Sequence, residues 1–543
     1  MERAAASRLR RRPRGAVGGS HRHRPGPVAR SALPPDAGRR TDRPSRRAVT
    51  VPRPLRIVIV GAGVSGSGVA AGLVRAGAAG GFSAEVELVD PRPSPGAGLT
   101  YAAGGDPRHR VNVPSIRMAA VTGRSAGEDG EEDFHRWCLE RGVLEADPDG
   151  WADGLHYPAR SVFGRYLDER LRALFAAAGP VRVTHRRDRA VAARRLASPQ
   201  GSGFVVELAG GRVLEADALV LCTGNPRPEL PGVLAGLAGH GRVVADPWAP
   251  GALDTIGRTD RVLIVGTGLT MGDVVSTLLG RGHRGPLTAL SRHGLVPRPR
   301  PAGQAESWTD FAANPPASVR DLLRRVRATV ADAGRQGRPW TDVLESLRLQ
   351  NGALWAALPV DEQRRFQRHL RPWWDAHRFQ AAPQVARLLA SAQTDGRLSV
   401  LAGRLVGANA DADSSGTRGD EGGGLWVLYR PRGGDALTGR TYDALVNCTG
   451  AGHGASFGRN PLLATLTAQG LIRPDPLGLG VEVDRRHRAL DAGGRPVTSL
   501  FVVGPPTRGS LGEVTGASEI VPHALAVAEA LTAWRHGMSP RSP

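Results

Sequence analysis

Lysine is missing from this sequence of 543 residues, so all 72 members of its lysine and arginine total are arginines. The absence excludes catalysis that needs an ε-amine, such as a Schiff base with pyridoxal phosphate, the lysine of a P-loop or a lysine general base. Arginine does not take over these roles, because its guanidinium stays protonated. Alanine, glycine and proline are abundant alongside arginine, which is typical of a GC-rich genome.

Cysteine and long apolar runs are also scarce. The three cysteines, Cys138, Cys222 and Cys448, form no C-x-x-C pair, so we expect neither disulfide-reductase chemistry nor a zinc knuckle. The scattered histidines form no metal-binding motif, and no apolar stretch is long enough for a membrane span. A metal-free protein of a reducing cytoplasm fits this composition.

The net charge of +21 is concentrated at the N-terminus. Residues 1–55 contain fifteen arginines against three acidic residues, and residues 1–54 lack hydrophobic periodicity, so we expect a disordered Arg/Pro-rich tail. Two interpretations stay open, a true polybasic segment or a start codon assigned too early, and the abrupt onset of folding signals at Leu55 favours the second. The rest of the chain shows no clustered basic patch, so we expect no nucleic-acid partner.

A dinucleotide-binding pattern begins at once after the tail. The apolar run 57–60 predicts a strand buried on both faces, and Gly-x-Gly-x-x-Gly, an apolar helical stripe and a second strand ending in an acid follow it. Gly61 permits a tight turn, Gly63 lets the backbone approach a pyrophosphate, and Gly66 lets helix and strand pack closely. Asp90 ends the second strand, where it would accept hydrogen bonds from a ribose diol.

The same pattern returns in the second half of the chain. An apolar strand at 261–265 leads into Gly266 and Gly268, a helix, and a strand that ends in Ser291 and Arg292. The third glycine is displaced by one position, so we expect looser packing of the helix on its strand. An arginine attracts a 2′-phosphate, which a carboxylate at this place would repel. We therefore predict an NADPH site here.

Each half closes with an apolar strand followed by Thr-Gly, at 218–224 and at 444–450. A further apolar strand at 501–504 then returns the chain to the first half. These repeats predict an α/β protein with two Rossmann-like (doubly wound) dinucleotide-binding domains, in which the NADPH domain is inserted in the flavin domain. A final helix from Gly516 would direct its N-terminus towards the flavin pyrimidine, where negative charge develops on reduction.

Residues 302–395 fit neither half. Apolar residues over 319–330 follow helical spacing with Ser318 as a cap, and further helices are predicted from Val343 and over 361–370. Five of the ten tryptophans lie in this stretch. We expect a helical insertion, which is either a lid that shields the flavin and shapes a substrate pocket or a small subdomain with an aromatic core.

Short segments along the chain are similar to those of one flavoprotein family. The matching segments are 89–93, 98–101, 111–114, 157–160, 266–273, 291–295, 374–378 and 508–515. Over about residues 55–535 the chain resembles the two-dinucleotide FAD/NAD(P) flavoproteins that group FAD-dependent urate hydroxylase with aspartate N-monooxygenase. Most of these segments handle cofactor, so the resemblance is less specific for the substrate.

The resemblance implies FAD in the first half and NADPH in the second. Many related flavoproteins have Gly-Asp after the last strand, but here Gly504 is followed by Pro505, which offers neither a carboxylate nor an N–H. The ribityl contact is then expected from Arg508 or from the backbone. The remaining residues that the resemblance places against FAD are Gly61, Gly63, Gly66 and Asp90, with Asn112 and Pro114 near the flavin ring.

The sequence pattern also predicts where each domain begins and ends. The segments are 55–257 for the first part of the FAD-binding domain, 258–450 for the NADPH-binding domain with the insertion 302–395, 451–535 for the second part of the FAD-binding domain, and 536–543 for a short tail.

The two nucleotide-binding halves and the resemblance together favour an FAD- and NADPH-dependent monooxygenase. NADPH would reduce the flavin, oxygen would be held as a flavin C4a-peroxide, and a small polar substrate would be hydroxylated, either an amino acid on nitrogen or a purine-like heterocycle. No catalytic side chain and no oligomeric state is predicted. Two alternatives stay open: an FAD-dependent NAD(P)H reductase that passes electrons to a partner, and a flavin-binding regulatory protein with a basic, nucleic-acid-binding tail.

Overall fold

The computed structural model describes residues 53–119, 132–198, 201–410, 424–452 and 458–537. The tails predicted at 1–54 and 536–543 lie almost entirely outside these ranges. Within the ranges, no helix combines the length and the apolar character that a membrane crossing requires.

The first part of the chain supplies strands for the first sheet and two small accessory sheets. Its strands are β1 (Leu55–Val60), β2 (Ala84–Val89), β3 (Trp151–Ala152), β4 (Leu155–His156), β5 (Val181–Arg186), β6 (Ala190–Ser198), β7 (Gly201–Leu208), β8 (Val213–Ala216) and β9 (Ala218–Leu221). Its helices are α1 (Val64–Ala78), α2 (Asp133–Glu140), α3 (Val143–Ala146) and α4 (Arg160–Ala176), with 3₁₀ turns at Ser115–Arg117 and Pro148–Gly150.

The middle part supplies the second sheet and most of the helices. A 3₁₀ turn at Gly232–Leu237 precedes its strands β10 (Val243–Val244), β11 (Val262–Val265), β12 (Leu287–Ser291), β13 (Leu398–Asn409), β14 (Leu425–Pro431), β15 (Thr438–Tyr442) and β16 (Ala444–Asn447). Its helices are α5 (Leu269–Gly280), α6 (Val319–Arg335), α7 (Trp340–Leu349), α8 (Asn351–Ala357), α9 (Val360–His369), α10 (Arg371–Arg378) and α11 (Pro383–Thr394).

The last part returns to the first sheet. Its elements are α12 (Pro461–Ala468), β17 (Arg488–Leu490), β18 (Pro496–Val502), a 3₁₀ turn at Pro505–Thr507, α13 (Arg508–Leu511) and α14 (Ala517–Gly537).

Six strands form the first sheet in the order β17-β18-β9-β1-β2-β5. All neighbours are parallel except the edge pair β17 and β18. The register places Val60 beside both Val89 and Leu221, so the residues that follow β1, β2 and β9 meet at one carboxyl edge. Central parallel strands are buried on both faces, which explains their continuous apolar sequences.

The second sheet repeats this arrangement. Its order is β10-β16-β11-β12-β13-β14-β15, with antiparallel pairing only from β13 to β15. The central strands β16-β11-β12-β13 therefore correspond in order and direction to β9-β1-β2-β5. The chain completes this sheet before it returns to the first with β18, which confirms two Rossmann-like folds, one inserted in the other. Its edge strand β10 starts at Val243, ahead of the predicted boundary at 258.

Helices α1 and α14 cover one face of the first sheet. Leu73 of α1 and Leu531 of α14 are fully buried in the same apolar cluster. The helices lie close because residue 72 is glycine: a Cβ there would stand 2.6 Å from the Ala528 side chain. Burial of this apolar surface, rather than helix propensity, holds both helices on the sheet.

The helical insertion consists of α6 to α10. Ser318 Oγ accepts a hydrogen bond from the Asp321 N–H at 3.2 Å, which confirms the predicted cap, and helices lie where 319–330, Val343 and 361–370 predicted them. Helix α11 differs. It packs on α5 and leads directly into β13, so it is the crossover helix of the second sheet rather than part of the insertion.

Candidate active site

The first glycine-rich turn joins β1 to α1 at the carboxyl edge of the first sheet. Gly61 has a φ of +102°, and a Cβ on it would lie 2.1 Å from the Cys222 carbonyl oxygen. A Cβ on Gly66 would lie 1.8 Å from the Gly61 oxygen, so helix and turn touch there. Gly63 precedes α1, and no side chain caps the helix. The unpaired N–H groups of the first turn are therefore available to an anion.

Asp90 follows β2 directly beside this turn, and its side chain is buried. Its Oδ2 accepts a hydrogen bond from the Ala62 N–H at 2.9 Å, and its Oδ1 accepts one from the Arg92 N–H at 2.9 Å. Oδ1 also lies 3.4 Å from Arg92 Nη1, whereas Oδ2 keeps a second lone pair that can accept from a ribose hydroxyl. The two backbone donors fix the carboxylate in place for that contact.

Of the other residues predicted against FAD, Gly504 reaches the same edge. Gly504 follows β18 with a φ of +87°, and a Cβ on it would lie 2.2 Å from Ser65 Oγ in the first turn of α1. Pro114 is buried at the start of a 3₁₀ turn. The backbone oxygen of Asn112 accepts a hydrogen bond from Arg300 Nε. Gly504 therefore lies at the turn, and Pro505 after it offers no side-chain ligand for the ribityl chain.

The second glycine-rich turn joins β11 to α5. Gly266 has a φ of +111°, and a Cβ on it would lie 2.3 Å from the Cys448 carbonyl oxygen. A Cβ on Gly268 would meet nothing within 4 Å, so open space lies in front of an uncapped helix. Gly272 is the third glycine of this pattern, one position later than in the first half. It faces α11, and a Cβ on it would lie 3.1 Å from Val385 Cγ1. The space at Gly268 suits the approach of a pyrophosphate.

Ser291 and Arg292 end β12 beside this turn. Ser291 Oγ lies 2.9 Å from Thr267 Oγ1 and accepts a hydrogen bond from the Gly294 N–H at 3.0 Å. Its hydroxyl therefore braces the loop. Arg292 is exposed and has no hydrogen-bond or ion-pair partner among the described residues. Arg432 bonds the ring of the adjacent His293, so positive charge gathers at this strand end.

A buried ion pair connects the two halves. Arg160, the first residue of α4, donates to Asp273 of α5 through two nitrogens at 2.8 and 3.2 Å. Nearby, His109 Nε2 lies 2.9 Å from Thr277 Oγ1 on the same helix. Because α4 belongs to the first half and α5 to the second, these contacts fix the position of one turn relative to the other.

A cavity of about 960 Å³ lies where the insertion covers the segment that follows β18. This volume falls within the range of small-molecule sites, about 300–1,000 Å³. Trp355 Nε1 donates a hydrogen bond to the Gly509 oxygen at 2.8 Å, and Trp374 Nε1 donates one to Glu513 Oε2 at 3.0 Å. These tryptophans fasten the insertion over the segment, so they do more than fill an aromatic core.

Charged side chains line the otherwise apolar cavity. Burial lowers the pKa of Arg300 to about 10, and burial together with the nearby Arg371 lowers the pKa of Arg508 to about 10. Both guanidinium groups remain protonated at neutral pH. Arg371 also donates to Asp375 at 3.3 Å, and burial raises the pKa of that carboxyl. The cavity therefore offers fixed cations to a polar ligand.

The structure brings together residues to which the sequence assigned no role. Arg300 lines the cavity and holds the Asn112 oxygen, although 188 positions separate the two. Glu513 lines the same cavity from the far end of the chain. A Pro-Arg-Pro-Arg-Pro run at 297–301 predicts an extended backbone. Among so many arginines, no sequence signal distinguishes Arg300 from a surface residue.

Comparison with known families supports the nucleotide-binding character of the first half. Residues 58–226 match a family model described as FAD-NAD(P)-binding, a range that contains the first glycine-rich turn and Asp90. No curated protein sequence gives a significant match to the chain.

Solved structures share the fold at low sequence identity. The ornithine N-hydroxylase of Kutzneria sp. 744 is 18% identical with a TM-score of 0.57, covering 89% of this chain and 100% of that one. The reduced ornithine hydroxylase of Pseudomonas aeruginosa is 16% identical with a TM-score of 0.56, covering 89% and 99%. The L-lysine 6-monooxygenase of Pseudomonas syringae is 17% identical with a TM-score of 0.56, covering 90% and 100%. The chain therefore has the fold of these proteins along nearly its whole described length.

Proposed function

We propose that the protein is an FAD- and NADPH-dependent monooxygenase that hydroxylates a small polar substrate, most directly the amino group of an amino acid. One observation carries the proposal. Two equivalent sheets each present an uncapped glycine-rich turn, and a lid-covered cavity is lined by Arg508, in the same segment after β18 whose Gly504 lies against the flavin-side turn. A purine-like heterocycle is the second substrate class that such a cavity accommodates.

The first turn fits the diphosphate and ribose of FAD. Gly63 and the N-terminus of α1 would hold the pyrophosphate, with Gly61 and Gly66 as the glycines that allow the close backbone approach. Asp90 would hold the ribose. Bound FAD would accept a hydride from NADPH and activate oxygen, chemistry that no side chain of the protein supplies.

The flavin ring would then lie over the segment after β18. Asn112 is tied to the cavity through Arg300, and Gly504 and Arg508 belong to the segment itself, which supports placing Asn112 and Pro114 near the ring. Arg508 lines the cavity, where a fixed cation would stabilise negative charge on the reduced ring. The N-terminus of α14 follows only a few residues later and acts in the same sense.

The second turn fits NADPH. Gly266 and Gly268 would cradle its pyrophosphate, Ser291 braces the adjoining loop, and Arg292 would bind the 2′-phosphate. The ion pair between α4 and α5 holds this site at a set position relative to the flavin site. We keep the domain boundaries predicted from the sequence, except that β10 moves the start of the NADPH-binding domain to Val243 or earlier and α11 leaves the insertion.

The comparisons support this choice of reaction. The proteins with the same fold include N-hydroxylases and N-monooxygenases of ornithine, lysine and cadaverine, and the Kutzneria structure was solved with reduced FAD, NADP⁺ and L-ornithine. We also place the chain in the group of flavoproteins that contains urate hydroxylase and aspartate N-monooxygenase, on the sequence segments that resemble it.

The decisive experiment couples cofactor use to product. The full chain is loaded with FAD and screened with NADPH against the twenty protein amino acids, L-ornithine and a set of purines. NADPH oxidation, oxygen consumption, hydrogen peroxide and hydroxylated product are all measured. We expect one substrate class to give product close to one equivalent per NADPH. Rapid flavin reoxidation that yields only peroxide with every compound would instead indicate an oxidase or a reductase.

A further inference from the structure

One carboxylate of the cavity wall belongs to the segment that follows β18. Glu513 comes after the short helix α13 and Gly512, whose φ of +84° turns the chain towards α14. The Glu513 side chain is only 7% exposed and lines the cavity. It therefore faces the lid from the segment over which the flavin ring is proposed to bind.

The groups around Glu513 come from two helices. From α10, Trp374 Nε1 donates to its Oε2 at 3.0 Å, Arg378 lies 2.7 Å from its Oε1, and Asp375 carries a nearby carboxyl. From α14, Glu519 accepts from the same Arg378 at 2.8 Å. Burial and the two neighbouring carboxylates outweigh the arginine and raise the pKa of Glu513 to about 7. Its carboxyl can thus exist in either protonation state near neutral pH.

Hydrogen-bonding capacity next to this carboxyl is still unused. Within the described residues, Thr515 Oγ1 is buried without a hydrogen-bond partner, and it lines the same cavity. Oε1 of Glu513 has Arg378 as its ion-pair partner, whereas no partner for this hydroxyl lies among the described residues. A buried polar atom without a partner costs about 1–3 kcal/mol, and a polar ligand in the cavity would remove that cost.

An amine substrate arrives in the wrong protonation state for hydroxylation on nitrogen. Aliphatic amino groups have pKa values of about 8 to 10, so the ammonium form predominates at neutral pH. The ammonium nitrogen has no lone pair with which to attack an electrophilic oxygen. One proton must leave before the oxygen is transferred, and an enclosed site needs a group that takes it.

We propose that Glu513 accepts this proton from the ammonium group of an amine substrate bound in the cavity, beside the Thr515 hydroxyl. One N–H bond breaks and one O–H bond forms, so that an ammonium and a carboxylate become a neutral amine and a carboxylic acid, with no change in oxidation state. The inference rests on the proposed monooxygenase function and assigns to it the amine, rather than the purine, class of substrate.

The test compares pH profiles of FAD-loaded full-length variants, using the most active amino acid of the screen above. For the wild type we expect kcat/KM for product to rise with pH through an apparent pKa near 7. In Glu513→Gln it should fall by about 100-fold at pH 7 and recover at high pH, because the rise moves to the pKa of the substrate ammonium. Glu513→Asp should restore part of the activity.

Glu519→Gln is the matched control. It removes a carboxylate from the same Arg378 without altering a residue of the cavity wall. The rise with pH should persist and move slightly lower, since a negative neighbour of Glu513 is lost, with kcat/KM at pH 7 within about 3-fold of the wild type. Glu513→Gln activity that is lowered equally at every pH, or that matches Glu519→Gln, would show that Glu513 only fastens the lid and would overturn the proposal.

Infrared titration provides a measurement that needs no substrate. The carboxylic-acid band that is present in the FAD-loaded wild type and absent from Glu513→Gln should titrate near pH 7. A band that titrates below pH 5 would overturn the inference even where a variant binds FAD poorly. If the wild type forms no product from any compound of the screen, the proposed function itself fails, whereas product from purines alone refutes the inference and leaves the proposed function standing. Product formation with an unchanged profile in Glu513→Gln refutes only the role of Glu513.

Discussion

The substitution Arg292→Ala tests the second nucleotide site most directly. It removes an exposed guanidinium that ends β12 and has no partner among the described residues. Nothing in the fold depends on this side chain, so the variant should fold and bind FAD normally. We expect it to lose the preference for NADPH over NADH, because only NADPH carries the 2′-phosphate that the arginine would bind.

The expected size of the effect follows from the exposure of the site. A hydrogen bond between charged groups contributes about 1.5–3 kcal/mol, and solvent and salt bring an exposed pair to the lower end of that range. A loss of about 1.4 kcal/mol corresponds to a tenfold change in an equilibrium constant. The ratio of kcat/KM for NADPH to that for NADH should therefore fall by about 10-fold, and by less at high salt.

The assay measures steady-state kinetics with both nucleotides at two ionic strengths. Arg284→Ala is the control, because Arg284 is also exposed but precedes β12, at the opposite edge of the same sheet. It should leave the nucleotide preference unchanged. Equal proportional losses with NADPH and NADH in Arg292→Ala would refute the assignment of the 2′-phosphate to this strand end.

Three further substitutions test the framework of the sites. Gly66→Ala should abolish FAD binding, because the added Cβ would lie 1.8 Å from a backbone oxygen. In Gly272→Ala the added Cβ would contact only movable side chains, so the free energy of unfolding should change by less than about 1 kcal/mol. The absorbance of bound flavin and thermal unfolding distinguish the two variants. Asp273→Asn should lower the free energy of unfolding by about 3 kcal/mol, because it leaves Arg160 largely buried without its partner. In a urea-denaturation cycle that combines it with a substitution of Arg160, additive effects of the two changes would contradict this. Burial lowers the pKa of His487 to about 4, so below about pH 6.5 the unfolded chain binds a proton at this histidine and the folded chain does not. The free energy of unfolding should therefore fall by about 3 kcal/mol between pH 6.5 and 4. In urea titrations over this pH range, His487→Asn should reduce that fall.

The strands and turns of both nucleotide halves could be predicted because their signals are local. The run 57–60 is continuous and apolar since β1 is covered on both faces, and Gly61 is glycine because the neighbouring strand end occupies the space of a Cβ. These constraints act within a few residues and leave a readable pattern. The same holds for Ser318, whose capping bond spans three positions.

Other features depend on contacts between distant segments and left no such pattern. The sheet of β6 to β8 was not predicted, because its strand β6 mixes arginine with alanine and shows no apolar run. The cavity has the same origin: Arg300 and Glu513 acquire their environment only when the insertion folds over residues from the end of the chain. Helix α11 was assigned to the insertion since its sequence is helical either way, and only its packing on α5 identifies it as a crossover.

The position of β18 has a consequence for the synthesis of the protein on the ribosome. Strand β9 ends at Leu221, but its second neighbour in the sheet, β18, ends about 280 residues later at Val502. At about 5–20 residues per second, the nascent chain carries an open strand edge for roughly 15 to 55 s while the second Rossmann-like fold is translated and folds. An open edge can pair with other chains, so yield during expression should depend on chaperone supply and translation speed more than the stability of the finished protein implies.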